Sequence, residues 1–332
     1  MWPIVGHGWV VDMWQNSIRQ GRVRHAYLLN GPAHIGKRTL ALTFAQALNC
    51  VSDSRPCGQC RSCQKIVHGT HPDVRVIEGL GGSIKIEQIR ELQNEIALSA
   101  HESPWKVYVL RDADQATPEA ANCLLKTLEE PPQRVVLILT ATRPNMLLPT
   151  VVSRCQVLPL RPLAPGLIAQ VLVDQWQAKP ERAELLARLS GGRIGWAIVA
   201  LQDESILAKR AEAMADLQKM MAAHRYERLE YAAKLGAQRD DALRALDLWQ
   251  TWWRDLLLTK VRVEERTANF DFLDELRYWA NLLTVDQINS FLARLNSTAR
   301  RVEQDANARL ALESLLLNLP LMGQRTNQGI SR

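Results

Sequence analysis

Tyr27-Leu28-Leu29-Asn30-Gly31-Pro32-Ala33-His34-Ile35-Gly36-Lys37-Arg38-Thr39 is the stretch that decides the fold. Its first four residues have the character of a buried strand. Gly31 to Lys37 then follow the phosphate-loop pattern G-x-x-x-x-G-K-[ST] in every position but the last. Thr39 to Leu48 continues as a helix, so the motif sits in the strand–loop–helix setting that it needs. The loop amides and Lys37 can hold an anion at the helix N-terminus. The departure is Arg38, which stands where a hydroxyl would reach the magnesium of a bound nucleotide.

A second departure lies downstream. Lys106-Val107-Tyr108-Val109-Leu110 is a short apolar run of strand type, followed by Arg111-Asp112-Ala113-Asp114. In a working phosphate-loop ATPase such a strand delivers an acidic pair that holds magnesium and polarises the attacking water. Arg111 replaces the first member of the pair with a permanent cation. Asp112 remains, and one carboxylate beside a guanidinium is expected to be salt-bridged rather than catalytic. Two losses at one metal site predict a frame that does not hydrolyse nucleotide by itself.

At 332 residues the chain exceeds the usual single core, which predicts two or three domains. Hydrophobic content of 47% supplies those cores. No apolar run approaches the ~18 residues of a membrane span, and Met1-Trp2-Pro3-Ile4 does not open a signal peptide. A cytoplasmic location is the expectation. The net charge of +6 is spread along the chain, which permits contact with nucleic acid without demanding it.

The first ~160 residues alternate strand-like and helical patterns, which predicts a parallel α/β sheet. The strands are expected at 26–30, 74–78, 107–111, 135–140 and 156–160, with helices over 86–98 and 118–128 among the connections. Pro131-Pro132 ends the second of these helices. Leu160-Arg161-Pro162-Leu163-Ala164-Pro165 marks a boundary, after which everything reads as helix. Gly191-Gly192 and the residues 203–205 suggest a further division. In the last segment Leu246, Trp249, Trp253, Leu256 and Leu257 recur at helical spacing and read as core, not as a base-stacking platform. Residues 308–319 form a strongly apolar helix suited to oligomer packing.

Cys50, Cys57, Cys60 and Cys63 have the spacing C-x6-C-x2-C-x2-C, with Gly58 supplying a tight turn. Four thiolates around one centre fit a structural, tetrahedral Zn²⁺ with no position left for water. Arg55, Arg61 and Lys65 are close enough in sequence to offset its net negative charge. Disulfides, a redox pair and an iron–sulfur cluster are the rival readings. Against the cluster, the extra cysteine lies upstream and Cys63 precedes Gln64 rather than proline. Cys123 and Cys155 stand alone in apolar surroundings, Cys123 as a buried thiol.

With these residues assembled, the chain resembles the clamp-loader branch of the AAA+ ATPases that serves bacterial DNA polymerase III. The resemblance rests on His25-Ala26-Tyr27-Leu28-Leu29, His71-Pro72-Asp73 and Ile84-Lys85-Ile86-Glu87-Gln88-Ile89-Arg90. Leu124-Leu125-Lys126-Thr127-Leu128-Glu129-Glu130-Pro131-Pro132, Ser153-Arg154-Cys155 and Ala311-Leu312-Glu313 extend it over nearly the whole length. It implies an AAA+ α/β domain over residues 1–163 with a zinc module at 50–63. A helical lid over 164–203 and an all-α collar over 204–332 would follow.

It also implies that Gly31, Gly36 and Lys37 form a degenerate phosphate loop with a weak hold on ATP, or none. Arg154 would act in trans as an arginine finger at a neighbour's ATP site. The motor subunits gamma and tau keep a hydroxyl, an acidic pair and a lid arginine where this chain has Arg38, Arg111 and Gly195. Arg193 takes the lid position if that helix is shifted. The implied partners are those gamma and tau subunits, the clamp-opening delta subunit and, indirectly, the sliding clamp and primed DNA. The other readings are an active motor of the gamma type and a zinc-dependent nucleic-acid-binding repair protein.

Overall fold

The computed structural model describes residues 2–304 and 306–320. The chain begins with α1 (Gly8–Arg19), β1 (Ala26–Asn30), α2 (Lys37–Asn49) and α3 (Arg61–Val67). It continues through β2 (Val74–Ile77), α4 (Ile86–Ala97), β3 (Lys106–Leu110), α5 (Pro118–Glu129) and β4 (Val135–Ala141). The short α6 (Pro149–Val152) and β5 (Gln156–Pro159) complete the α/β part. After β5 come α7 (Pro165–Trp176), α8 (Pro180–Leu189), α9 (Ile194–Gln202), α10 (Ser205–Ala222) and α11 (Arg225–Leu235). The last are α12 (Arg239–Lys260), α13 (Leu273–Leu282), α14 (Val285–Glu303) and α15 (Ala308–Leu317).

The five strands form one sheet in the order β2-β3-β4-β1-β5, and every pairing is parallel. Leu28 of β1 lies opposite Leu139 of β4 and Val157 of β5, so the strand that leads into the phosphate loop is interior. Both faces of β1 are covered, as a parallel sheet requires. Tyr27 and Leu29 join Val10, Trp14, Leu40 and Phe44 on one face. Leu28 points the other way, to a core with Ile89, Leu92, Leu124 and Leu137. Trp14 and Phe44 stack at 4.1 Å between ring centroids, and Tyr27 meets both edge-on. The expected strands are present, with ends displaced by a residue or so.

The described residues divide into two compact units, one of residues 2–171 with Gly192–Trp196 and one of Leu172–Gly191 with 197–320. In the α/β unit, the Leu163 amide donates to the Gly192 carbonyl, and a Cβ on Gly192 would lie 2.7 Å from the Leu163 nitrogen. Only glycine fits that approach, at φ 85°. The helical unit is centred on α12, whose Leu246, Trp249, Trp253 and Leu256 are fully buried with Phe291 and Leu295 of α14. The tryptophans are core residues, as their spacing predicts. In α15, Leu312, Leu315 and Leu316 join that core, while Leu310 and Leu317 stay exposed.

Arg228 of α11 is fully buried without a carboxylate among its hydrogen-bond partners. Its guanidinium donates to the carbonyls of Met220 and Met221 at the end of α10 and of Leu316 and Leu319 at the end of α15. Those are the acceptors that a helix C-terminus leaves unpaired. One planar cation thus caps two helices, and the negative ends of their dipoles offset its charge. Replacing Arg228 by Leu leaves several carbonyls buried and unsatisfied. The helical unit is expected to lose about 2–4 kcal/mol, read as a lower denaturant midpoint.

Candidate functional site

The phosphate loop leaves the C-terminal end of β1 and turns into α2. The Gly31 amide donates to the Ala141 carbonyl at 3.1 Å, and a Cβ on Gly31 would stand 2.7 Å from the Leu160 carbonyl oxygen. Gly36 has φ 104°, which a side chain would strain. Lys37 opens the helix and is only 8% exposed. Its Nζ donates to the carbonyls of Gly31 (2.5 Å) and Pro32 (3.0 Å) and to Thr142 Oγ1 (3.1 Å). An ammonium has three N–H donors, so this geometry uses them all on the chain itself. Burial pulls the Lys37 ammonium below its ordinary range, against the opposing pull of Asp112 and Asp114. Arg38 is exposed beside it and brings no hydroxyl to the loop.

Arg111 follows β3, and its guanidinium pairs with Glu78 at 2.7 Å. The expected partner was Asp112. The register explains the difference: Ile77 of β2 lies opposite Leu110 of β3, so the next residues, Glu78 and Arg111, emerge side by side. Asp112 turns away in the left-handed region at φ 49°, its amide donating to Thr140 Oγ1. Asp114 is buried and accepts from the amides of Thr142 (3.4 Å) and Arg143 (3.0 Å). Its role is to fix the turn after β4 beside Lys37. Gly195 also meets the loop: its amide donates to the His34 carbonyl at 2.8 Å, and a Cβ there would stand 2.7 Å from that oxygen. Burial and then the Arg193 charge depress the His34 imidazole.

The four cysteines come together at the far end of α2, where Cys50 is the C-terminal cap and Cys60 caps the start of α3. All four Sγ atoms lie within 4.8 Å of one another, and Cys60 and Cys50 stand 3.9 Å apart. Sulfurs about 2.3 Å from a tetrahedral centre are separated by roughly 3.8 Å, so this cluster can hold a metal ion. The amides of Cys57, Cys60 and Cys63 donate to the Sγ atoms of Cys50, Cys57 and Cys60 respectively. Amide donation, led by Cys60, brings the Cys57 thiol down to about 6. Burial pushes Cys63 up to about 12. Of the nearby cations, Lys65 pairs with Glu102 at 2.7 Å.

A polar network that the spacing of residues did not reveal braces this module. His71 Nδ1 accepts from the Asp73 amide at 3.1 Å, which leaves the proton on Nε2 for Ser62 Oγ (3.1 Å) and Ser103 Oγ (3.0 Å). That tautomer, assigned from the bonding pattern, gives His71 one Nε2–H to share between the two hydroxyls and no free lone pair there to act as a base for either. Asp73 accepts from the amides of His101, Glu102 and Ser103. Burial opposes its charge, but those donors outweigh it and hold the carboxyl below the ordinary range. The His71-Pro72-Asp73 run was the available signal. Its partners lie on separate segments, and only the fold assembles them.

Arg154 sits between α6 and β5, about one-third exposed. Its Nη2 pairs with Glu129 Oε1 at 2.7 Å and its Nη1 donates to the Thr150 carbonyl at 2.9 Å. Burial raises the neighbouring Cys155 thiol to about 12. Cys123 is half-buried rather than fully buried, because its Sγ reaches Gln93 Oε1 at 3.5 Å on the flank of α4. Lys37, Arg111, Asp112 and Gly195 therefore share one end of the sheet. The cysteines stand a helix length away, about 20 Å for 13 residues.

A family model described as DNA polymerase III, delta subunit, matches residues 6–164. DNA polymerase III subunit delta' of Bacillus subtilis is 30% identical over 314 residues, 93% of this chain and 95% of that protein. The delta' subunit of Pseudomonas aeruginosa is 37% identical over 221 residues, 64% of this chain and 66% of its own. DNA polymerase III subunit tau of Bacillus subtilis is 30% identical over 210 residues, but they span 61% of this chain and only 37% of tau.

Cys60→Ser removes one ligand from the cluster and the sulfur cap of α3 at once. The protein is expected to retain metal with an affinity at least ~10-fold weaker. Residues 50–65 should then lose amide-exchange protection. Metal analysis after dialysis against a chelator checks the first effect and hydrogen exchange the second.

Proposed function

This chain belongs to the DNA polymerase III delta-prime family, and from that premise we propose that it is the non-hydrolysing wall of a clamp-loading assembly. The observation that carries the reading is the Lys37 ammonium, whose three donors are satisfied by Gly31, Pro32 and Thr142 of the same chain. A phosphate would have to displace these bonds, and it would find Arg38 and Arg111 where a metal's ligands belong. The loop therefore serves as a strut, with a weak hold on ATP or none.

In this reading the segment 1–163 is the AAA+ domain, 164–203 the lid and 204–332 the collar that joins the ring. The cysteine cluster holds Zn²⁺, because four thiolates and no open position suit a structural site. Arg154 reaches into the ATP site of an adjacent gamma or tau subunit. There a guanidinium neutralises charge that develops on the transferred phosphoryl group. With the delta subunit, the assembly opens the sliding clamp and places it on primed DNA in the cytoplasm. Among the described residues no helix is long and apolar enough to cross a membrane.

A gamma- or tau-type motor is the second reading, favoured by the 30% identity with tau. It requires turnover by the isolated chain that Lys37→Ala abolishes. The proposed reading predicts no turnover by the isolated chain. It also predicts that Arg154→Ala leaves assembly intact and slows hydrolysis at the adjacent site by on the order of 10³-fold. The measurement is ATPase activity of the reconstituted complex with its other ATP sites disabled. An unchanged rate removes the finger assignment.

A further inference from the structure

The end of α5 is electrostatically wrong for the residues it carries. The helix stops at Glu129, with Glu130 next and Pro131-Pro132 beyond. A carboxylate there faces the negative end of the helix dipole, where a cation would be stabilising. Glu129 is half-exposed, so no buried partner fixes it. What it does meet is Arg154, 2.7 Å away from a different element.

The guanidinium is thereby held at two points. Nη1 is tied to the Thr150 carbonyl at the start of α6, with a longer contact to Ser153 Oγ at 3.5 Å, while Nη2 is tied to the end of α5. Two anchors on separate elements fix the plane of a rigid fork as well as its position. Its hydrogen bonds within the chain are both made by Nη1, so Nη2 meets Glu129 as an ion pair and Nε–H makes neither contact. Thr150 alone would leave the fork free to rotate about one bond.

We propose that Glu129 is a positioning residue that presents Arg154 in a fixed plane to the triphosphate of an adjacent subunit. This rests on the reading of Arg154 as a finger acting in trans. Glu129 touches no reacting atom. It acts by restricting the arginine before the neighbour's nucleotide arrives, which lowers the cost of ordering at the transition state.

The test is steady-state ATP hydrolysis by the reconstituted complex, with Arg154→Ala as the reference. Glu129→Ala is expected to lower kcat at the adjacent site about fivefold, the upper scale of one half-exposed ion pair, with KM for ATP unchanged. Glu129→Gln, which keeps an oxygen beside Nη2 and loses the charge, should fall between wild type and Glu129→Ala. An unchanged kcat in Glu129→Ala, or a loss in Glu129→Gln equal to that in Glu129→Ala, overturns the proposal. A kcat that rises in Glu129→Ala overturns it too, since the carboxylate would then be a restraint that withholds the arginine. If Arg154→Ala itself leaves the rate unchanged, the finger reading fails first, and the two failures are separable. Complex formation by each variant, read by size exclusion, confirms that every rate refers to assembled protein.

Discussion

The Lys37 ammonium and the carbonyls around it set the character of the α/β unit. A phosphate loop ordinarily gathers donors about an anion: amides from the turn, the ammonium from the helix start. Here the ammonium is turned onto the Gly31 and Pro32 carbonyls and the Thr142 hydroxyl, so the same groups tie the loop together. Around this knot, β1 is held between β4 and β5, and Gly195 lies against His34 too closely for any side chain. Binding a nucleotide would mean breaking three charge-assisted bonds in a buried place. Keeping them makes the loop a junction between strand, helix and the first turn of α9.

The second centre stands at the other end of the same helix. α2 runs from Lys37 to Asn49, and Cys50 follows at once. Gln46 of that helix also donates to the Cys63 carbonyl, and Asn49 pairs reciprocally with the backbone of Trp105. Through His71 and Asp73 the cysteine module is further fastened to residues 101–103. A rigid rod pinned at both ends transmits no large local opening.

Much of this frame was legible in the sequence because its signals are local. Strand and helix periods, the glycines of the loop, the cysteine spacing and the apolar stripe of α12 each declare themselves within a few residues. What stayed hidden were pairings set by register and topology. Glu78 takes Arg111 only because β2 and β3 run in parallel with their ends level. Arg228 reads as an ordinary charged residue of a polar helix, until two helix ends, 88 and 91 residues away in the case of α15, converge on it. Asp255 is similar: burial pushes its carboxyl up, while the amides of Ala268 and Asn269 partly restore it. Buried polar groups are decided by their partners, and partners distant in sequence leave no local pattern.

Lys37 and Arg154 differ in a way that follows from their chemistry. Lysine concentrates three donors at one point, so a cluster of nearby acceptors can satisfy it completely and draw it inward. Arginine spreads five donors along the edges of a plane, so the same side chain can be gripped from within its own chain and still present hydrogens outward. Lys37 is 8% exposed and saturated, whereas Arg154 is one-third exposed and gripped on only part of its edge. A planar guanidinium gripped on part of its edge keeps other donors open to a further acceptor. The lysine is thus committed inward to its own loop, while the arginine is gripped on one part of its edge and open on the rest.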